Sequence, residues 1–476
     1  MSRAVDVSVR YVRPRHRRIV LAIVLVSFFM VILDNSIVFT GLPRIREDLG
    51  FSDATSAWIQ TAYAVPFAGL LLVGARTGDL YGRRRMFVIG LALFGCASTA
   101  IAGSPTVEFM IIARAVQGIG AAILAPATLT LLTANFSVGK ERTRAMAAYG
   151  AVAGIGASVG LVFGGFLADA VSWRMGFLIN LPIAAICIIA SLRYVAETPV
   201  ASGRLDVRGA ITVTLGMTSL VFGIVASGEG GPLSPLPASM IATGLLLLSG
   251  FVIIERRVSD PMLPLGLFSD LNRSGAYMSR VLFVGAMFGF FFYTTQYLQG
   301  VLNFSSLQAG LAFIPMTGAT FLLSVAVPRL TLAVGNTSLI CAGSLVAGIG
   351  MSLLSRLSTG SGFVVGIVVP MLVIGIGQGL ALGPLTAGGV EGVKAADQGV
   401  ASGVVNSAHQ FGVSLGTATV VAVASAVADS AAKETVLEAQ ASAALAASAV
   451  FMALAMLVAL GFALAARQAS RRITVI

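Results

Sequence analysis

Residues 55–104 read TSAWIQTAYAVPFAGLLLVGARTGDLYGRRRMFVIGLALFGCASTAIAGS. Two apolar runs, 55–75 and 86–104, flank a short segment that holds Asp79, Gly82 and three consecutive arginines. Each run is about as long as the roughly 20 residues that an α-helix needs to cross a hydrocarbon core. A barrel strand would instead show about ten residues of alternating polarity, and neither run alternates. The stretch predicts two membrane-spanning helices joined by a basic turn at one surface.

The same pattern runs through the whole chain. Apolar runs bounded by charges or by Gly, Pro and Ser clusters predict helices near 19–42, 55–75, 86–104, 107–133, 144–168 and 173–195. Eight more follow, near 208–228, 237–255, 278–300, 307–328, 336–355, 362–388, 398–426 and 444–466. Composition agrees, with 57% of residues apolar and 11% charged, against about 25% charged in soluble globular chains. The 54 glycines and 2 tryptophans suit helices that pack closely through small residues. The expected fold class is an all-α polytopic membrane protein with 14 transmembrane helices.

Basic residues orient these helices. With the N-terminus inside, inner segments hold 25 Lys and Arg, outer segments hold 5, and Arg114 lies within a helix. Such a bias marks cytoplasmic loops. It implies an even number of spans with both termini cytoplasmic, because merging two neighbours would invert the downstream half. Arg13, Arg15, Arg17 and Arg18 precede an apolar run in the manner of a signal peptide. The run is too long, carries Asp34 and lacks a small-residue cleavage site, so it is read as an uncleaved first span. The expected division is a cytoplasmic segment 1–18, a six-helix half 19–195, a linker 196–277 with two additional helices, a second six-helix half 278–466 and a cytoplasmic tail 467–476.

Several function classes recede. The net charge of +11 is scattered between apolar runs, so its reading is topological and no nucleic-acid partner is expected. Cys96, Cys187 and Cys341 each sit in an apolar run and give neither a disulfide framework nor a metal site. Only two His are present, without an HExxH pattern, which argues against a metal-dependent membrane enzyme. Gly375-Ile-Gly377-Gln-Gly379 lies mid-helix, outside the strand–turn–helix setting of a dinucleotide loop. No GxxxxGK[ST] loop occurs, so ATP is not expected as the direct energy source and no cofactor is expected.

The turn Gly74-Ala-Arg-Thr-Gly-Asp79-Leu-Tyr-Gly82-Arg83-Arg84-Arg85 can be a purely topogenic loop, in which Gly82 permits a tight reversal and Asp79 caps or pairs. The spacing of its Asp, Gly and Arg also closely resembles the cytoplasmic signature of the major facilitator superfamily, with Ala75 where a Gly is usual. Leu33-Asp34-Asn35-Ser36-Ile37-Val38 with Leu42-Pro43 looks like the first-span motif of the 14-span drug:proton antiporters of that superfamily. Arg114-Ala-Val-Gln117-Gly118-Ile-Gly120 is similar to their fourth-span motif, and Trp173-Arg174 with Phe177, Asn180 and Pro182 to the start of their sixth span. Tyr297-Leu-Gln299-Gly300 and Gly403-Val-Val-Asn406-Ser-Ala-His409-Gln410 resemble their second half, with His409 where Arg is more usual. The resemblance implies a major facilitator fold of two six-helix halves plus a central pair. In that fold Asp79, Gly82, Arg83 and Arg84 would form a gating motif.

Gly156, Gly160, Gly164 and Gly165 lie on or beside one stripe of the fifth span, where they allow a neighbouring backbone to approach. The resembled antiporter motif has Gly-Pro where this chain has Gly160-Leu161, so close packing and an antiporter motif are both open readings.

Charge at bilayer depth costs several kcal/mol and marks function by default. Three ionisable residues lie well inside the proposed spans: Asp34, Arg114 and His409. Asp34 and Arg114 are about 12 Å and about 10 Å from the outer ends of their spans, so they can share one cavity. Burial and a neighbouring cation act on a carboxyl in opposite senses and can tune it to bind and release protons. A permanent salt bridge between two helices is the alternative. His409, with Asn406 and Gln410, can relay a proton, bind substrate or simply be satisfied between helices. On the ninth span Tyr293, Gln296 and Tyr297 share a face that either lines a cavity for lipophilic, including cationic, compounds or meets lipid or another helix. Asn35, Gln60 and Gln117 are further candidates for substrate contact.

The function expected is export of hydrophobic drugs, cationic ones included, or of a secondary metabolite in exchange for protons, by alternating access in the inner (cytoplasmic) membrane. The expected partners are a small molecule, protons and the lipid bilayer, with the monomer as the working unit. A proton symporter for a nutrient and a non-transporting receptor or scaffold are the rival readings.

Overall fold

The computed structural model describes residues 14–51, 53–137, 139–197, 206–230, 234–258, 261, 263–356, 362–394, 397–428 and 436–474. Residues 1–13, parts of the 196–277 linker and Lys433 lie outside the described residues. The first seven helices are α1 (Pro14–Leu49), α2 (Asp53–Tyr81), α3 (Arg83–Ala102), α4 (Val107–Asn135), α5 (Lys140–Ala170), α6 (Trp173–Leu178) and α7 (Asn180–Tyr194). The next pair is α8 (Val207–Gly230) and α9 (Pro235–Glu255). After a 3-10 turn at Leu265–Phe268 come α10 (Leu271–Gly300), α11 (Ser306–Leu311), α12 (Ile314–Leu354), α13 (Val369–Val390, entered through a π turn), α14 (Gln398–Ala428) and α15 (Val436–Thr474).

Eleven stretches of described helix are long and apolar enough to cross a membrane. One of them, Ser306–Leu354, is 49 residues long, which at about 1.5 Å per residue is more than twice a hydrocarbon core of about 30 Å. It reverses at Gly335, whose φ of 81° is open to glycine and strained for other residues. Contacts with α13 prove the reversal. Along the first arm Met316, Thr320 and Val327 meet Gly375, Gly379 and Gly383 in ascending order, whereas along the second Gly343 and Gly350 meet Ala381 and Ile374 in descending order. The two arms therefore run antiparallel, as the separate spans 307–328 and 336–355 require.

Other boundaries move. Asp270 accepts the Arg273 backbone N–H and starts α10 at Leu271 rather than at 278, which draws Arg273 into the helix and moves Arg280 from the first turn of the expected span to the third turn of α10. The sixth span is two pieces separated only at Ile179, whose φ and ψ remain helical. α1 continues to Leu49, so Arg44 and Arg46 are helical, and the expected tail from 467 continues α15 to Thr474.

The helices are held by close backbone approach. A Cβ at Gly118 would lie 2.4 Å from the Tyr63 carbonyl oxygen, and one at Gly120 2.8 Å from the Phe94 nitrogen, which fixes α4 against α2 and α3. The fifth-span stripe packs on α1, where a Cβ at Gly160 would lie 2.5 Å from Ser36 Cβ and one at Gly156 3.1 Å from Ile32. Gly165 meets Ser306 instead, so the upper stripe touches the other half of the molecule, and Gly164 is buried with it. α8 and α9 form a closely packed pair beside α2, with Gly69 against Thr218 and the Trp58 and Phe222 rings 5.6 Å apart. Large apolar side chains such as Ile186, Ile189, Leu246 and Leu322 point outward, as a lipid-facing perimeter demands.

These contacts yield a paired test. Gly160→Leu places a side chain on Ser36 and should abolish a monodisperse folded peak in size-exclusion chromatography. Gly250→Ala, with nothing within 4 Å of its Cβ position, should leave the melting temperature unchanged or higher.

Candidate functional site

Asp34 is fully buried, and five helices converge on it. Its Oδ2 accepts from Arg114 Nη1 at 2.7 Å, and its Oδ1 accepts from Gln117 Nε2 at 2.7 Å and Asn180 Nδ2 at 2.8 Å. Arg114 Nη1 also donates to Gln117 Oε1 at 2.7 Å, and its Nε donates to the Ile59 carbonyl at 3.3 Å. The guanidinium lies 4.4 Å from the centre of the Tyr63 ring, a cation–π arrangement. Ser98 Oγ accepts from both Gln117 and Asn180 while donating to the Phe94 carbonyl. Asn35 reaches the Tyr63 hydroxyl at 3.4 Å and so forms the rim of the network. Charge-assisted hydrogen bonds of this kind are short and are about twice as strong as neutral ones. Arg114 Nη2 and Asn180 Oδ1 are the network's atoms that carry no hydrogen bond.

The basic turn joins α2 to α3 through Gly82, which adopts φ 104°. Asp79, near the end of α2, pairs with Arg83, the first residue of α3, at 3.0 Å. Its carboxylate also lies against Gly399 in the first turn of α14, where a Cβ would sit 2.3 Å from Oδ2. A carboxylate there complements the positive end of the α14 dipole. Glu197, just past α7, accepts the backbone N–H groups of Arg84 and Arg85 at 2.9 and 3.1 Å and so caps α3. Arg84 donates to the Val195 carbonyl at 3.2 Å. This turn therefore brings together four helix ends, those of α2, α3, α7 and α14, the last from the other half of the chain.

The second half separates the remaining candidates. Tyr293 and Tyr297 pack in a buried cluster with Val420 and Ala424 of α14 and Ala441 and Ala444 of α15. Their face is a seam between helices in this structure, not an open cavity wall, and half-buried Gln296 lies beside it. Gln117, expected at substrate, is instead committed to Asp34 and Ser98. Gln60 is half-buried on α2, and its amide nitrogen has no hydrogen bond. Asn406 donates to the Ser402 carbonyl, and Gln410 is buried on the same helix. His409 Nδ1 faces Arg280 Nη2 at 3.4 Å, and because a guanidinium only donates, Nδ1 is the acceptor.

The sequence profile of the Major Facilitator Superfamily matches residues 24–417. The chain belongs to that superfamily. It is a multi-pass membrane transporter of small molecules rather than an enzyme. It is 36% identical over 402 residues to the puromycin resistance protein pur8 of Streptomyces alboniger, covering 84% of this chain and 80% of that one. It is 37% identical over 402 residues to the cephamycin export protein CmcT of Amycolatopsis lactamdurans, covering 83% and 82%. The multidrug resistance protein Stp of Mycobacterium tuberculosis is 31% identical over 395 residues, covering 83% and 73%. Among solved structures, the human organic anion transporter MFSD10 superposes with a TM-score of 0.66 at 17% identity, covering 93% of this chain and 99% of that one. The proton:xylose symporter XylE gives a TM-score of 0.66 at 13% identity, covering 93% and 95%. At such identities the likeness is one of fold alone.

Three residues of this facilitator's interior were not singled out as site residues from sequence. Ser98 and Asn180 complete the Asp34 shell, but a lone Ser or Asn in an apolar helix has no visible partner until helices are assembled. Arg280 is 2% exposed inside α10; the expected start at 278 placed it at the end of a span, and Asp270 as a helix cap was the signal that would have placed it deeper.

The Asp34 shell predicts strong coupling. Arg114→Met leaves a carboxylate buried without its cation, a change that typically costs about 3–5 kcal/mol. The melting temperature, followed by a thiol-reactive dye at buried Cys187, should fall steeply. A second change, Asp34→Asn, should restore much of the loss.

Proposed function

We propose that this chain is a proton-coupled exporter of small organic molecules, of the 14-span drug:proton antiporter type, working as a monomer in the cytoplasmic membrane. The observation that carries the reading is the fully buried Asp34–Arg114 pair at 2.7 Å, since an ion pair at bilayer depth is costly to keep for packing alone. Protonation of Asp34 would neutralise one partner and loosen the grip of α1 on α4. Release of the proton would restore it, so a proton can select between two packings of the first half. The named relatives, which are resistance and export proteins, support export as the direction.

The topology fits fourteen crossings. The eleven apolar stretches become fourteen once Ser306–Leu354 is counted as two arms and α5 and α14 are added. Both termini and the Gly82 turn then face the cytoplasm, as the excess of Lys and Arg on that side requires. The two halves would be 19–195 and 278–466, with the second beginning at α10, and α8 and α9 the extra pair. Asp79 on the first turn of α14 would hold the cytoplasmic side closed, and separation of the halves there would open it. His409 and the residues around it would serve substrate in the second half.

Two measurements test this. In everted vesicles with an imposed pH gradient, Asp34→Asn should abolish dye accumulation and Asp34→Glu should keep part of it, whereas full accumulation with Asn would remove Asp34 as the proton carrier. Single cysteines at 234 and 394 should react with impermeant reagents from opposite sides, and labelling from one side would overturn the fourteen-span topology.

A further inference from the structure

Buried charges in the described residues are equal in number but do not pair off. Three arginines are buried, at Arg114, Arg273 and Arg280, and three carboxylates, at Asp34, Asp79 and Glu255. Each carboxylate is already engaged. Asp34 pairs with Arg114, Asp79 with Arg83, and Glu255 accepts the Leu263 backbone N–H at 2.9 Å. Arg273 sits in the first turn of α10 and spends its donors on the carbonyls of Leu267, Gly266 and Glu391. Arg280 is left with no carboxylate among the described residues.

The groups around Arg280 are neutral. Nη1 donates to Thr386 Oγ1 of α13 at 2.8 Å, and that hydroxyl passes its own proton to the Leu382 carbonyl. Nη2 donates to His409 Nδ1 of α14 at 3.4 Å, so the ring carries its proton on Nε2, a donor. Nε is buried and has no partner. The Tyr149 phenol of α5 lies within electrostatic reach from the other half of the molecule, next to the point where Gly150 meets the Gly383 backbone. Glu391, the acid that follows α13, is exposed and bound to Asn336. The guanidinium is thus a lone cation at the junction of the two halves. A lone buried ion carries a penalty of several kcal/mol, and a planar fork of N–H donors is suited to an oxyanion.

We propose that Arg280, with His409 and Thr386, binds the acid group of the transported molecule, so that the substrate is an organic anion, an apolar body bearing a carboxylate or similar oxyanion. The proposal rests on the reading of the chain as an exporter of small organic molecules and narrows the expected hydrophobic substrates, cationic ones included, to anionic ones. Arg280 supplies the charge and a fork of donors. His409 Nε2 supplies a further donor, and Thr386 fixes the guanidinium plane by accepting from Nη1.

The test is thermal unfolding of the purified protein in a chloride-free buffer, with 2-naphthoate, neutral 2-naphthamide of the same shape, and sodium chloride as probes. Naphthoate should raise the melting temperature saturably, and naphthamide and chloride should not. Arg280→Gln, which removes an uncompensated charge, should melt at or above the wild-type temperature without ligand and lose the naphthoate shift. Arg280→Lys should keep a weakened shift. Equal shifts from naphthoate and naphthamide, a shift from chloride alone, an undiminished shift in Arg280→Gln, or a destabilised or unfolded Arg280→Gln would each overturn the proposal. No gradient is imposed, so loss of pH-driven export with the naphthoate shift intact would refute only the coupling. Export of a neutral dye with the shift absent would refute only the anion site.

Discussion

Hydrocarbon offers a charge no solvent, so every buried ion in this chain must be answered from within the protein. Asp34 is where that constraint is met most fully. α1 supplies the carboxylate, α4 a guanidinium and an amide, α2 a carbonyl and a tyrosine face, α3 a hydroxyl and α7 a second amide. Lipid is as apolar as leucine, so burial of apolar area separates correct from incorrect helix pairings only weakly. Directed polar contacts do separate them, and the arrangement of the first half follows from one side chain's need for partners.

Contacts between the halves are of another kind. Gly150 on Gly383, Gly165 on Ser306 and Gly310 on Val162 bring main chain against main chain, beside small apolar contacts such as Ala147 with Val327 and Leu339. Surfaces like these can part without rotamer changes. Asp79 on the first turn of α14 adds a point of attachment at one end. The two halves thus differ from their junction: polar contacts stitch the first half internally, while glycine backbone and small apolar side chains make most of the contact between halves, with Asp79 and Arg280 as the charged side chains beside it.

Much of this was legible in the sequence, and the failures share a cause. Hydropathy located the eleven described stretches that are long and apolar enough to cross a membrane, because length and apolarity are properties of a segment alone. Asp34 and Arg114 stood out for the same reason, as charges in apolar runs. The partners Ser98 and Asn180 did not, since polarity that mild acquires meaning only from what faces it. For Tyr293 and Tyr297 the choice between a cavity and another helix stayed open, because a helical face is visible in sequence while its neighbour, here α14 and α15, is not. Gly335, between the expected spans 307–328 and 336–355, is the same device as Gly82, a positive-φ glycine at a reversal.

The Asp34 hub also sets a schedule for biogenesis. Its cation lies 80 residues downstream and its last amide 146 residues downstream. At synthesis rates of about 5–20 residues per second, Arg114 trails Asp34 by roughly 4–16 seconds and Asn180 by roughly 7–29 seconds. Throughout that interval the first helix has left the ribosome with an acid and no base to meet it. Either the insertion machinery shelters α1 in a wet lateral gate until α4 arrives, or Asp34 enters lipid carrying a proton that Arg114 later displaces. The order in which the helices are made thus leaves the nascent chain exposed at its first membrane segment, where quality-control proteases would find it if translation stalled before α4.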